Sequence, residues 1–498
     1  MKFLSISRFA LAIVLASAIG AAGAQEQPSP AERNEPGKGV LRLLPADSVT
    51  EHSIETPRGK LAYTATAGTL AFYNQSGDQS ASAFYTAYVA KNSTPNRPLT
   101  FVFNGGPGAA SAFLHLGLVG PRILDFGPDD HDATRADLRD NPDTWLVFTD
   151  LVLIDPIGTG WSRTVKSDDG KHFWSVRSDA DAMAKAIALY VAKNNRAGAP
   201  KYLFGESYGG FRAAKVARAL QSDQGIVSSG IVMLSPLLEG WLTFGDDQSA
   251  LHAALQLPSL AAAELERRHA FNLDALAAAE KFAMTDYLVT LAGPPPKGET
   301  AKAFYERVAK MSGLPLDAVT QARGFAANAY VKTLRSVENK VVSRYDATFA
   351  VDDPYPERRS SRAPDPILDA ISRAYGGAMA SYARNELGFK TEMTYMLLAS
   401  DVTSHWDWQG GRAQASAEDD LRVLLAYGAS FRLMIAHGYS DMITPYAMTR
   451  YILDHMPTFE PPGRVQVKLY RGGHMLYLDP QSRKAFSADV AAFYRRAE

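Results

Sequence analysis

Ser207 stands in the stretch LFGESYGGF, Leu203 to Phe211, with a glycine two residues to either side. A Ser so spaced can be a nucleophile on a sharp strand-to-helix turn. In a chain this long the bare G-x-S-x-G pattern arises by chance about one time in five, so the flanks must decide. Tyr202, Leu203 and Phe204 suit the end of a buried strand, and FRAAKVARAL after the Ser is rich in good helix formers. A bland Ser in a Gly-rich turn would look the same locally.

A nucleophilic Ser needs a base within hydrogen-bond reach and a carboxylate to orient that base. On strand–turn–helix scaffolds of this kind, the order along the chain is Ser, then an acid, then His. Asp441 follows the strand-like LMIAHGYS, and His474 follows VQVKLY within RGGHMLY. Alone, Asp441 could prepare a turn and His474 could be an ordinary loop His. Together, in the required order and each just past an apparent strand, they form a candidate triad with Ser207. His437 is a rival base that reads as structural, inside the strand before Asp441. Asp479 is a rival acid, but it follows the His. An oxyanion needs two backbone N–H donors. One falls to Tyr208, after the nucleophile, and the other to an earlier strand-end loop. FNGGPG, ending at Gly108, is such a loop, directly after a buried strand.

These residues need a frame to hold them. Residues 1–24 read as a signal peptide, with Lys2 and Arg8, an apolar run, and Ala22-Gly23-Ala24 before the expected cut. The expected destination is secretion or a bacterial periplasm, with no membrane anchor kept. Residues 25–45 read as a flexible lead-in. From 46 to 240, antiparallel strands give way to alternating buried strands and helices, with Ser178 read as a helix N-cap. Residues 241–401 turn Ala/Leu-rich and then mixed, the texture of an inserted, mainly helical cap. The strand-and-helix pattern returns over 402–498. The fold class is therefore α/β, with a mostly parallel central sheet, helices on both faces and a largely helical insertion.

Composition narrows the functions. Lys+Arg is 52 and Asp+Glu is 53, which gives nucleic acid no electrostatic foothold. The chain has no Cys, so disulfides and thiolate chemistry are excluded. No cofactor or metal is called for. DDHD, Asp129 to Asp132, reads as a solvated loop, and YPERRSSRAP, Tyr355 to Pro364, as an exposed basic one.

The chain resembles the serine carboxypeptidases. The resemblance rests on NGGPG, NPDTWLVFTDLVLIDPIGTGWS, FGESYGG, GYSDMITP and GGHMLYLDP, in the family's order, from about Leu99 to the C-terminus apart from the insertion. It implies the α/β-hydrolase fold with an inserted cap, in agreement with the strand-and-helix pattern, and with it a Ser207 nucleophile, a His474 base and an Asp441 orienting acid. It implies an oxyanion hole from the Gly106 and Tyr208 N–H groups. It assigns the C-terminal carboxylate of a peptide substrate to Asn104 and Gly105, with Glu206 assisting. Three positions depart from the family: Val102 stands for a Trp, Ala109 for a Cys, and Leu118, counted without gaps, for the second of two Glu residues. A Leu118 facing the site would leave Glu206 without a proton-sharing partner and favour its neutral form. Peptide hydrolysis is then expected to reach higher pH than is the family's habit. An esterase or acyltransferase on the same triad is the alternative, and a non-catalytic binding protein a third.

Overall fold

The computed structural model describes residues 38–91, 93–127, 132–246, 248–358 and 364–495. The signal peptide, most of the lead-in, Asp129 to His131 of DDHD and residues 359–363 of the basic stretch lie outside the described residues. Asp132 caps a short turn, its carboxylate accepting from Thr134 N.

The strands are β1 (Ser48–Thr56), β2 (Gly59–Tyr73), β3 (Gln79–Ala90), β4 (Leu99–Phe103), β5 (Arg122–Asp125), β6 (Asp137–Asp140), β7 (Asp150–Ile154), β8 (Arg163–Thr164), β9 (Lys201–Glu206), β10 (Gly230–Leu234), β11 (Lys340–Val342), β12 (Ala350–Asp352), β13 (Arg432–Gly438) and β14 (Val465–Tyr470). The main sheet runs β1-β2-β3-β7-β4-β9-β10-β13-β14, with β8 paired to β3. From β1 to β7 the pairings are antiparallel. From β7 to β14 they are all parallel. The central strands are short and apolar because both their faces are covered. Phe101 and Phe103, Leu203, Ile231 and Met233, and Leu433 and Ile435 point to one core. It is packed by helices Val176–Lys193, Tyr208–Asp223 and Glu418–Tyr427. Val102, Tyr202 and Phe204, Val232 and Leu234, and Met434 and Ala436 point to the other. That face is closed by the last helix, Pro480–Arg495, through Phe486, Val490 and Phe493.

One local reading is corrected. The helix from Val176 is capped by Ser175, whose extended backbone lets its hydroxyl accept from Ser178 N; Ser178 lies inside the first turn. Of LVFTDLVLID only Asp150–Ile154 is strand, since Trp145–Val147 winds into a 3-10 turn capped by Thr144.

Between β10 and β13 the chain makes its long excursion. Helices Ala250–Arg267, Leu273–Phe282, Gly298–Ser312 and Ala326–Thr333 bury their own cluster around Leu257, Leu260, Tyr287, Phe304 and Tyr330. The later part behaves differently. Tyr375, Met379, Tyr382, Leu387 and Phe389 pack into the core on one face of the main sheet. The strand-like residues Met396 and Leu398 bridge to Gly160 and Ala109.

Candidate active site

The loops at the carboxyl ends of the parallel strands gather at one edge of the sheet, where open α/β sheets bind ligands. The chain leaves β4 into Asn104, β9 into Ser207, β13 toward Asp441 and β14 toward His474. Ser207 sits at φ 60°, ψ −126°, outside the regions a side chain favours, at the junction of β9 and the helix Tyr208–Asp223. Its N–H donates to Leu234 O at 2.9 Å and its carbonyl accepts from Leu237 N at 3.1 Å, so the neighbouring strand's exit holds the turn. The loop after β4 abuts it. A Cβ on Gly105 would lie 2.6 Å from Tyr208 N and 2.7 Å from Glu206 O, which only a glycine permits. Tyr208 is the first residue of its helix, so its N–H has no intrahelical acceptor.

His474 Nδ1 lies 2.9 Å from Asp441 Oδ2. Asp441 is fully buried, and its carboxylate also accepts from Thr444 Oγ1 at 2.9 Å and from the N–H groups of Ile443 and Thr444. Burial alone would push Asp441 up, but His474 draws it below the ordinary carboxylate range. Burial opposes an imidazolium at His474, and the Asp441 carboxylate outweighs it, so the ring titrates above its ordinary value. Among the described residues Ser207 Oγ makes no hydrogen bond, a looseness common before substrate arrives. The rivals fall away. His437 is fully buried in β13, where Nε2 meets Thr449 Oγ1 at 2.8 Å, and Asp479 spends its carboxylate capping the last helix through Ser482 N.

Ser207 and His474 share the wall of a cavity of about 680 Å³ with Asn104, Gly105, Gly106 and Glu206. Glu206 is almost wholly buried. Asn104 Nδ2 donates to its Oε2 at 2.5 Å, and the Tyr477 hydroxyl donates to both its oxygens at 3.2 Å. Burial pushes Glu206 up to about 7, against the lowering pull of His474, Tyr477 and Asn104. Leu118 does not face this cavity; it is fully buried in the core, and the polar neighbour of Glu206 is Tyr477. Sequence reasoning missed Tyr477, whose one signal is its place three residues past His474. It could not name the residues the insertion brings: Tyr345, whose carbonyl accepts from His474 N at 2.6 Å, and Arg373 on the cavity wall. Arg412, also on that wall, precedes β13 and was missed too. These come from segments distant in sequence and carry no motif. Among the described residues no group of three or more His, Cys, Asp or Glu is placed to hold a metal ion.

Residues 60–239 match the serine carboxypeptidase family. The human retinoid-inducible serine carboxypeptidase is 32% identical over 142 residues, 28% of this chain and 28% of its own length. Serine carboxypeptidase-like 42 of Arabidopsis thaliana is 28% identical over 166 residues, 32% of this chain and 33% of its own. The match thus spans about a third of these curated relatives or less. Among solved structures, the proline iminopeptidase of Mycobacterium smegmatis covers 86% of this chain and 98% of its own, at 16% identity and a TM-score of 0.39. The α/β-hydrolase assignment rests on the sheet order and the strand-end loops. Over its residues 60–239 the chain is similar to the serine carboxypeptidase family.

Proposed function

We propose that the protein is a serine carboxypeptidase that removes C-terminal residues from peptides through an acyl-enzyme. The observation that carries this reading is the position of Glu206. It adjoins Ser207, is buried, and holds its proton up to about pH 7 beside Asn104 on the cavity wall. A protonated carboxyl can donate to a substrate carboxylate where an ionised one would repel it. With the terminal carboxylate held by Asn104, Gly105 and Glu206, the last peptide bond comes to Ser207. Ser207 Oγ attacks the carbonyl carbon while His474 Nε2 takes its proton, and Asp441 steadies the imidazolium. The Gly106 and Tyr208 N–H groups face the oxyanion. His474 returns the proton to the departing amine, and the terminal amino acid leaves. Water, deprotonated by the same His, then releases the shortened peptide.

One feature favours the esterase or acyltransferase alternative. With Leu118 in the core, no second carboxyl reaches Glu206 from that position. The test compares an N-blocked dipeptide with a free C-terminus, its amide and a matched ester. Release of the last residue from the free acid and not from the amide, lost in Ser207→Ala, is the expected result. Ester cleavage without peptide cleavage would replace this reading with the alternative. Residues 1–24 carry the export part of the proposal, supported by their charge, apolar run and Ala22-Gly23-Ala24. Exported protein should begin at Gln25 on N-terminal sequencing.

A further inference from the structure

We infer that Tyr477 positions Glu206 for the substrate carboxylate, a phenol doing the work of a second carboxylic acid. The inference rests on the carboxypeptidase reading and extends it to a residue outside the triad, the oxyanion hole and the Asn104 loop.

Tyr477 is only 1% exposed and belongs to the short turn Leu476–Leu478 after His474. Its hydroxyl lies 3.2 Å from each oxygen of Glu206, so it straddles the carboxyl rather than favouring one end. The ring is held from behind. A Cβ on Gly117 would stand 2.6 Å from Tyr477 Cε2, so that backbone approaches the ring as only glycine allows. The Tyr477 carbonyl accepts from Arg483 at 3.2 Å, which pins the turn to the last helix. Asn104 completes the clamp at 2.5 Å. Glu206 is thus gripped from two elements, the loop after β4 and the loop after β14.

A phenol suits this task in a way a second carboxyl does not. Its O–H donates to an ionised carboxylate, and its oxygen accepts from a protonated one. The contact survives either state of Glu206. Two carboxyls sharing a proton repel once both ionise, and they titrate as a pair. Glu206 is faced by His474 and Asp441 from the loops after β14 and β13, by Tyr477, and by Tyr345 and Tyr375 from the insertion. Among these groups Asp441 is the one other carboxylate, and it is engaged with His474. Tyr477 therefore supports Glu206 without adding negative charge where the substrate's own carboxylate must sit.

The test uses Ser207→Ala, which binds without turnover, and Ser207→Ala/Tyr477→Phe. Each is titrated by calorimetry at pH 5 and 7.5 with an N-acyl dipeptide bearing a free C-terminus and with its C-terminal amide. At pH 5, where Glu206 is protonated in both proteins, the ratio of free-acid to amide affinity should fall about tenfold in the Phe variant, the size of one lost hydrogen bond; at pH 7.5 the fall should be smaller, because the variant keeps more of Glu206 protonated. A parallel fall for both ligands would mark Tyr477 as structural only, and an unchanged ratio would likewise overturn the proposal. A second reading needs no substrate. The Glu206 carboxyl is titrated by infrared difference spectroscopy against Glu206→Gln. Loss of the Tyr477 donor should move that titration to higher pH, because the donor favours the ionised form. An unmoved titration means that Tyr477 does not hold Glu206. A parent protein without preference for acid over amide, but with a titration that moves, fails the carboxypeptidase reading and leaves the Tyr477–Glu206 link standing.

Discussion

Ser207, Asp441 and His474 differ in what their surroundings ask of them. Asp441 accepts four hydrogen bonds or close contacts, from His474, Ile443 and Thr444, which fix its carboxylate against the His474 ring. Asp441→Asn should therefore fold normally and lose about ten-thousand-fold in kcat on an ester, because the amide selects the wrong tautomer of His474. Circular dichroism and ester kinetics together check this. The pH dependence follows from two groups with opposite requirements. His474 must be neutral to act as base, and it titrates above its ordinary value, so ester hydrolysis should rise as pH climbs through that raised value and then level off. On the proposed carboxypeptidase reading, peptide hydrolysis also needs Glu206 protonated, and Glu206 ionises near 7. The peptide profile should thus be bell-shaped, with its falling limb near pH 7, while the ester profile keeps its plateau. A peptide rate already lost by pH 6, with ester hydrolysis intact, would contradict this. The candidate triad could be picked out in the sequence because each member sits just past an apolar strand in a fixed order. Tyr477 was not, since an aromatic beside a His-bearing loop reads as core until its hydroxyl is seen to meet Glu206.

At the scale of elements, the site depends on how closely two strand ends approach. Gly105 packs against the backbone of the turn at Glu206, Tyr208 and Gly209. Gly105→Ala should force the loop after β4 away from that turn and displace its N–H donors. Ester and peptide hydrolysis should then fall together by about a hundredfold or more, with the ester kcat as the readout. Parallel strands were legible because β4, β7, β9, β10 and β13 are short, wholly buried runs between turn signals. Caps were less so. Two serines three residues apart, Ser175 and Ser178, both suit a helix start, and only the extended backbone at Ser175 decides between them. Arg212 shows an element serving the site from beneath. Its guanidinium pairs with Asp179 at 2.6 Å and donates to the Asn104 carbonyl, so it joins two helices to the loop after β4. Both side chains are buried. Arg212→Met leaves Asp179 charged and alone, and chemical denaturation should record a loss of about 3–5 kcal/mol. Removing both charges with Asp179→Leu should recover much of it.

At the scale of the whole molecule, the long excursion between β10 and β13 is more than a cover. Arg344 and Tyr345 offer carbonyls to Met442 N and His474 N, and Asp346 accepts from Ser440 Oγ at 2.7 Å. Glu266, at the end of its first long helix, grips Arg471 through both oxygens at 2.6 and 2.7 Å. The loops that carry Asp441 and His474 are thereby fastened to the insertion. Sequence reading could place the insertion by its change of texture, but not these ties, which join residues far apart and of ordinary types. The order of the parts has a consequence in time. Ser207 is synthesised before the insertion, while Asp441 and His474 follow it. A ribosome therefore delivers the Ser207 hydroxyl long before the side chains of Asp441 and His474. On the nucleophile reading proposed above, the growing chain carries a serine of ordinary reactivity until its last strand is seated.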